Sequence, residues 1–192
     1  EKETVDRLLD SCQGIDLDIY TSNEAMVSQA EYIRDGLDWE TWTSNMLRVM
    51  KSGKVRALHC MCTINALCLE SLPEFLTLLM AWKEQYGKDF PNFTLNILRF
   101  PSFQSPLVLP NEIRIKHKNR LQQWLNQNRN SGLLHEMEIN QTERLVDYLD
   151  VVKTPHSEAF ELPKLRNDFK QFYSQYDQRR GKNFVETFPG LK

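Results

Sequence analysis

The sequence predicts an α/β fold made of βαβ units, followed by a mostly helical carboxyl-terminal region. Three segments with strand character begin near residues 15, 55 and 93, and a helical segment separates each from the next. This repeat of about 40 residues is typical of strands that pair in parallel through right-handed crossovers. A closed α/β barrel needs eight strands, so the sheet is either open or lacks further strands.

The first elements are an amphipathic helix and a short strand. Before Gly14 stops the helix, one face carries the side chains Val5, Leu8, Leu9 and Cys12. The apolar face of this first helix must pack against another element. Either a strand that preceded the helix is missing, or the domain begins with a true amphipathic helix. Both alternatives stay open. Residues 15–20, IDLDIY, then alternate with the two-residue period of a strand.

The next units carry helix caps at the expected places. Asp38 is a candidate N-cap for the helix in LDWETWTSNMLRVMKSG, and Gly53 ends that helix. The second strand, VRALHCMCTI, is apolar on both faces, as expected for a parallel strand buried on both sides. The following helix begins with Ser71 as its candidate cap and Pro73 in its first turn.

After the third strand, FTLNILRF, the chain becomes mostly helical. Apolar periodicity predicts helices within residues 111–130, 133–152 and 162–181. The basic run QRRGK, residues 178–182, either binds an anion or complements the dipole of the helix that it ends, and the second is favoured. We therefore expect residues 1–110 to form the sheet-containing part and residues 111–192 a helical extension packed on it.

Composition excludes several classes of function. A formal net charge of −2 does not favour nucleic-acid binding, which usually requires a basic domain or face. No apolar run approaches the roughly 20 residues that span a bilayer, so no membrane partner is expected. The first residues lack the basic start and apolar stretch of a signal peptide. With no export signal and no disulfide-type framework, we expect a cytoplasmic protein with free thiols.

The stretch RALHCMCTINALC holds three of the four cysteines. On a strand, Cys60 and Cys62 project to one face and His59 to the other. Two thiolates about 7 Å apart along a strand cannot both reach one tetrahedral zinc without bending the backbone. Cys68 lies in the passage to the next helix and cannot complete a site alone. The stretch is therefore interpreted as an ordinary strand, with no metal ligands, and a cysteine-based redox or zinc protein is the least favoured alternative.

Polar residues follow the strands at the edge where α/β proteins bind ligands. Ser22, Asn23 and Glu24 follow the first strand, Asn65 follows the second, and Arg99 stands near the end of the third. Such side chains hydrogen-bond ribose hydroxyls or an amino-acid head group, and arginine binds a carboxylate. They predict a ligand site or, as the plainer alternative, polar loops in which Glu24 caps the next turn.

The segment TSNEAMVSQAEYIRDGLDWETWTSN resembles the radical S-adenosylmethionine (radical SAM) enzymes, specifically the twitch-domain-containing group. In that family the fourth barrel strand ends in a Ser-x-Asp-Ala pattern, followed by a Gln-Ala-Glu-Tyr-Ile-Arg run and a glycine. Ser22, Glu24 and Ala25 match the first pattern, and QAEYIRDG matches the second. TINAL, ILRFPSFQSPLVLP and YDQRRGKNFVETFP are also similar, so the resemblance covers nearly the whole chain through diffuse features.

The resemblance implies a fold, a cofactor and a reaction. The three strands would be the fourth, fifth and sixth of a partial, six-stranded, TIM-like barrel. Ser22, Glu24 and Arg34 would approach the ribose and methionine part of S-adenosylmethionine, with Asn65 close by. The family cleaves this cofactor reductively with a 4Fe–4S cluster, and the resulting 5′-deoxyadenosyl radical abstracts hydrogen from a substrate. The substrate, a small molecule or a peptide, is not identified by the sequence.

Two departures from the family pattern limit what the chain does alone. It lacks the Cys-x3-Cys-x2-Cys loop that holds the cluster, and Cys60 and Cys62 stand on a strand where the family places no ligands. Glu24 replaces the usual aspartate, and Asn23 replaces an apolar residue. We therefore expect the carboxyl-terminal portion of a radical SAM enzyme, inactive alone, whose partner is the missing amino-terminal half. The rival hypothesis is a small non-catalytic α/β binding or scaffold module without a cofactor.

Overall fold

The computed structural model describes residues 2–12, 14–152, 158 and 161–191. Three parallel strands form one sheet in the order β1-β2-β3: β1 (Asp18–Ser22), β2 (Ala57–Ile64) and β3 (Asn92–Ile97). Each strand neighbours the next one along the chain and is joined to it by helices. The mixed α/β fold with a parallel sheet, predicted from the spacing of the strand segments, is confirmed.

The described residues outside the sheet are mostly helical. Their α-helices are α1 (Lys2–Ser11), α2 (Val27–Ile33), α3 (Trp39–Ser52), α4 (Leu72–Tyr86), α5 (Asn111–Asn128), α6 (Glu136–Leu149), α7 (Leu162–Arg180) and α8 (Phe184–Thr187). None of these described helices combines the length and the apolarity that crossing a bilayer requires.

The two predicted helix caps have different outcomes. The Oδ1 atom of Asp38 accepts a hydrogen bond from the Thr41 backbone N–H at 2.7 Å, so Asp38 caps α3 as predicted. Ser71 occupies the N-cap position of α4 as predicted, but its side chain does not bond the helix, because its Oγ accepts from the backbone N–H of Met26 at 3.1 Å instead. Ser71 therefore attaches the loop after β1 to the start of α4.

The sheet buries one face and exposes the other. On the buried face β2 places side chains in the hydrophobic core together with residues of α3 and α4: Leu58, Cys60, Cys62 and Ile64. On the other face, 63% of Tyr20 and 41% of Met61 are exposed. The expectation that β2 is buried on both faces is wrong, because a parallel strand needs a layer on each side and the described residues supply one.

Side chains of α6 cover the outer edge of β3. Glu138 Oε1 accepts from the Phe93 backbone N–H at 2.8 Å, and Gln141 Oε1 accepts from the Leu95 backbone N–H at 2.5 Å. Arg144 Nη2 donates to the Leu95 carbonyl oxygen at 2.9 Å. These positions are spaced by three residues and share one face of the helix. The three side chains bond backbone groups of β3 that would otherwise pair with another strand, so the sheet ends at β3.

The outer edge of β1 has no strand beside it among the described residues. A hollow of about 210 Å³ lies at this edge between α1, α3 and β1, and Leu8, Ile19 and Asn45 line it. Within the described part of the chain, the buried Oδ1 of Asn45 has no hydrogen-bond partner. The two edges of the sheet therefore differ: helix side chains cover the edge at β3, and the edge at β1 is open.

The carboxyl-terminal helices pack on the sheet region at two places. Side chains of α5 and α6 share one hydrophobic core with β3: Leu121, Trp124, Leu125, Leu145 and Leu149. Helices α7 and α8 pack on α2 through a ring cluster of Tyr32, Tyr173, Tyr176, Phe184 and Phe188. A helical extension packed on the sheet is thus observed, whereas the division into parts at residue 110 stays a prediction.

A fully buried ion pair connects α4, β3 and α6. Lys83 Nζ donates to Glu138 Oε2 at 2.9 Å, and neither side chain is exposed to solvent. The same ammonium donates to the Lys88 carbonyl oxygen at 2.7 Å and to Asn92 Oδ1 at 3.3 Å. Burial lowers the pKa of Lys83, and the neighbouring Glu138 acts in the opposite direction. A buried pair with all its partners in place is held strictly in position.

Removing the charge of Glu138 should destabilise the fold strongly. In Glu138→Gln the Lys83 ammonium remains buried without a carboxylate, so the free energy of unfolding should fall by about 3–5 kcal/mol. The matched control is Glu143→Gln on the same helix, whose exposed pair with Arg129 should contribute less than about 1 kcal/mol. Urea denaturation measures both values. Equal losses in the two variants would contradict the structural role of the buried pair.

Candidate functional site

The candidate site lies beyond the carboxyl ends of the strands, where the loop after β1 meets the end of β2. Parallel strands place their carboxyl ends at one edge of the sheet, which is the usual place for ligands in open α/β folds. The loop after β1 is unusual because two of its polar residues are almost completely buried, Asn23 at 1% and Glu24 at 2% exposure. Buried polar groups need partners, so their bonds define the site.

Glu24 and Arg34 form the charged centre of the site. Glu24 Oε2 accepts from Arg34 Nη2 at 2.6 Å and from Arg34 Nε at 3.1 Å. The Thr63 backbone N–H, near the end of β2, donates to the same oxygen at 3.4 Å. All these bonds use Oε2, and Oε1 accepts none from the described residues. The site therefore has a carboxylate oxygen without a described partner, on a Glu24 side chain that is 3% exposed, next to an Arg34 side chain that is 28% exposed.

The electrostatics of Glu24 are set by its burial. Burial raises the pKa of Glu24, while the charge and hydrogen bonds of Arg34 and the bond from Thr63 act in the opposite direction without cancelling it. Burial also makes hydrogen bonds to the carboxylate stronger than they would be in water. A hydroxyl or ammonium group of a ligand that reached Oε1 would therefore form a stronger hydrogen bond than it would in water.

The loop between β1 and α2 is held in a demanding conformation. Asn23 Oδ1 accepts from the backbone N–H groups of Glu24 and Ala25 at 2.9 and 3.4 Å. Its buried Nδ2 has no hydrogen-bond partner within the described ranges. Val27, the first residue of α2, has a φ of 43°, a left-handed conformation that is rare for a β-branched residue. Backbone strain and unpaired buried donors are features that cluster at functional sites.

The other residues predicted for the site lie in different settings. Ser22 is exposed at the end of β1, and Arg99 is exposed beyond β3. Asn65 is buried, and its side chain bonds to nearby backbone: Oδ1 accepts from Leu67 and Cys68, and Nδ2 donates to Thr63. The structure therefore joins Glu24 with Arg34, places Ser22 at the rim, and uses the Asn65 amide to hold the turn after β2.

The cysteines lie as the alternation of β2 predicts, and they are buried. The Sγ atoms of Cys60 and Cys68 lie 3.5 Å from the Asn23 carbonyl oxygen and 3.3 Å from the Asn65 carbonyl oxygen. Burial raises the pKa of Cys62 and of Cys68 well above the ordinary value. Thiols in such surroundings are poor metal ligands and poor nucleophiles.

The histidines do not join the cysteines. The ring of His59 stacks on Tyr20 on the open face of the sheet, with ring centroids 4.5 Å apart. His156 lies outside the described residues. Across the part of the chain that the structure describes, no group of three or more His, Cys, Asp and Glu side chains has the arrangement of a metal site.

The carboxyl-terminal helices support α2, which leads directly into Arg34. The Tyr32 hydroxyl donates to Asp177 Oδ1 at 2.7 Å, and the Tyr176 hydroxyl donates to the Tyr32 carbonyl oxygen at 2.9 Å. Lys182 Nζ donates to the carbonyl oxygen of Glu31. The end of α2 is thus bonded to side chains almost 150 residues away along the chain.

The basic run at residues 178–182 has a specific partner. Arg180 Nη1 and Lys182 Nζ lie 2.6 and 3.4 Å from the carboxylate of Asp35. Two alternatives were predicted for this run: an anion site, or interaction with the helix dipole. Neither alternative included the ion pair with Asp35. Asp35 follows Arg34, so the run fixes the turn after the site arginine.

Comparison of the chain with protein-family models, with curated proteins and with solved structures gave no match.

The backbone strain at Val27 should lower the free energy of unfolding, so a substitution that relieves the strain should raise it. Asparagine tolerates the left-handed conformation better than valine, so Val27→Asn should raise the free energy of unfolding by about 1 kcal/mol. Val185→Asn is the matched control, since the two valines are 50% and 51% exposed and Val185 lies in a helix. Urea denaturation of both variants tests the difference. A stability loss in Val27→Asn as large as that in the control would contradict the strain.

Proposed function

We propose that this chain is the carboxyl-terminal portion of a radical SAM enzyme, in which it supplies part of the cofactor site. One observation carries the proposal: a buried carboxylate with a free oxygen, paired with an arginine, stands at the carboxyl end of β1. The resemblance assigns to these two residues, Glu24 and Arg34, contacts with S-adenosylmethionine. S-adenosylmethionine, cleaved reductively by a 4Fe–4S cluster, supplies the radical chemistry of that family.

The side chains of the site fit the nucleoside and amino-acid groups of this cofactor. Glu24 Oε1 would accept from ribose hydroxyls, and Ser22, exposed at the end of β1, has a hydroxyl that can donate or accept. The Arg34 side chain is partly exposed, and its guanidinium is a group that binds carboxylates. The unpaired Nδ2 of Asn23 is a further donor close to these groups. Asn65 would support the site by holding the turn after β2 with its side chain rather than by contacting the cofactor.

The cysteines do not fit a 4Fe–4S cluster. Cys60, Cys62 and Cys68 are fully buried, and the first two face the hydrophobic core. Cluster ligands are thiolates in a loop that wraps the iron, and the raised pKa values of Cys62 and Cys68 disfavour their thiolates. No reaction step is therefore assigned to these residues, and the cluster ligands would come from the amino-terminal half of the enzyme.

The two different sheet edges support a partial barrel. Strands of the amino-terminal half would pair with the open edge of β1, since α6 already covers the edge of β3. The open face of the sheet, with Tyr20, His59 and Met61, would then line the interior of the barrel. The site around Glu24 would lie between the two halves, and the chain alone would bind the cofactor weakly and perform no reaction.

Binding of S-adenosylmethionine tests the cofactor site. Ligand-observed NMR should detect weak, saturable binding, and Glu24→Gln should weaken it about tenfold because a charged acceptor is lost. The control Glu74→Gln alters another arginine–glutamate pair, with Arg120, outside the site and should leave binding unchanged. Absence of binding, or equal binding by both variants, would favour the rival hypothesis of a non-catalytic binding or scaffold module.

Reconstitution with iron and sulfide tests the assignment of the cysteines. Under anaerobic conditions the chain alone should develop no visible iron–sulfur absorbance, because Cys60, Cys62 and Cys68 are fully buried and lack the open loop that wraps a cluster. The control is a protein with a known 4Fe–4S cluster, treated in the same way. A stoichiometric cluster lost in the Cys60→Ser/Cys62→Ser/Cys68→Ser variant would contradict the proposal.

A further inference from the structure

A second hollow, of about 530 Å³, opens between the loop before α5 and the helices α7 and α8. Most of its lining side chains are apolar, among them Val108, Leu109, Phe169, Tyr173 and Phe184. Its volume lies within the roughly 300–1,000 Å³ of small-molecule sites, which combine apolar walls with a few polar groups. None of its described lining residues belongs to the site around Glu24, so the hollow needs an explanation of its own.

Two cations stand at one end of this hollow. Arg166 and Lys170 are one turn apart on α7, and both line it. Arg166 Nε donates to the carbonyl oxygen of Val108 at 3.0 Å, and Val108 also lines the hollow. Neither side chain forms an ion pair with a carboxylate of the described residues, and Lys170 forms no hydrogen bond with them. A positive charge at an apolar wall attracts an anion more strongly than one in open solvent.

The opposite end of the hollow carries an acid that the fold already uses. Asp177 is eleven residues beyond Arg166 on α7, about 16 Å along the helix axis. Its Oδ1 accepts from the Tyr32 hydroxyl at 2.7 Å, and its Oδ2 accepts from the Phe184 backbone N–H at 2.8 Å. Both oxygens are occupied, and the negative charge favours keeping an anionic group at the Arg166 end. The hollow therefore has positive charge at its Arg166 end and negative charge at its Asp177 end.

We propose that this hollow binds a small anionic amphiphile, a carboxylate with an aliphatic or aromatic body. The carboxylate would lie on Arg166 and Lys170, and the body would extend over Phe169 and Tyr173 towards Phe184. Charge selects the head group, because a neutral molecule of the same shape leaves both cations without a counter-charge. The apolar walls select the body, because a small inorganic anion would leave them in contact with water.

Isothermal titration with octanoate, and with octanol as the neutral probe of similar shape, tests the proposal. Octanoate should bind saturably, and octanol should bind at least tenfold more weakly. Lys170→Gln should weaken octanoate binding several-fold and the Arg166→Gln/Lys170→Gln variant at least tenfold. Lys164→Gln, an exposed position of the same helix outside the hollow, should have no effect. Lys170→Gln removes no hydrogen bond or ion pair among the described residues, so its effect reports on binding.

A further variant checks the location. Ser174 lines the hollow from an exposed position, and Ser174→Trp should fill the hollow and abolish octanoate binding with an unchanged circular dichroism spectrum. The proposal is overturned if octanoate does not saturate or if octanol binds equally well. It is also overturned if Lys164→Gln weakens binding as much as Lys170→Gln, or if Ser174→Trp leaves binding intact.

Discussion

The buried ion pair between Lys83 and Glu138 is the constraint on which the arrangement of the sheet depends. One carboxylate oxygen bonds the ammonium, and the other bonds the backbone of β3 at Phe93. The pair thereby fixes how far along β3 the helix α6 can lie, and this position in turn places Gln141 on the next free backbone group. An ammonium and a carboxylate without solvent contact tolerate little displacement, since each would lose its counter-charge in a medium of low polarity.

The two edges of the sheet differ in whether they can pair with a further strand. Side chains of α6 cover the edge at β3, so further strands could pair only with β1, the strand that leads into the candidate site. Glu24 lies beyond this strand and reaches across to the β2 backbone at Thr63. The proposed second half of a barrel and the proposed cofactor therefore meet at the same place, which is why the two ideas support each other.

Local signals in the sequence were sufficient for the three strands, for six of the eight helices and for the cap at Asp38, whereas α2 and α8 were not predicted. Hydrophobic periodicity and cap chemistry act within a few residues, and these elements form where such signals coincide. Ser71 was a sound candidate cap by the same rule, but the Met26 backbone N–H, distant in sequence, competes for its hydroxyl. The exposure of Met61 and the left-handed backbone of Val27 also depend on tertiary surroundings. Periodicity reports how apolar a strand is, whereas the layers that cover it are set by the whole fold.

The candidate site was predictable in part for the same reason. Ser22, Glu24 and Asn65 could be placed near one another because parallel strands end at one edge. The bond between Glu24 and Arg34 could not be predicted from local signals, because it depends on how the chain turns at the end of α2. Bonds made by Tyr32, Tyr176 and Lys182 hold that turn. The support of the site arginine therefore comes from the far end of the chain. A shortened protein that ended with the sheet would retain every strand and still lack the scaffold that orients Arg34, so the smallest unit able to carry this site runs from β1 to at least residue 182.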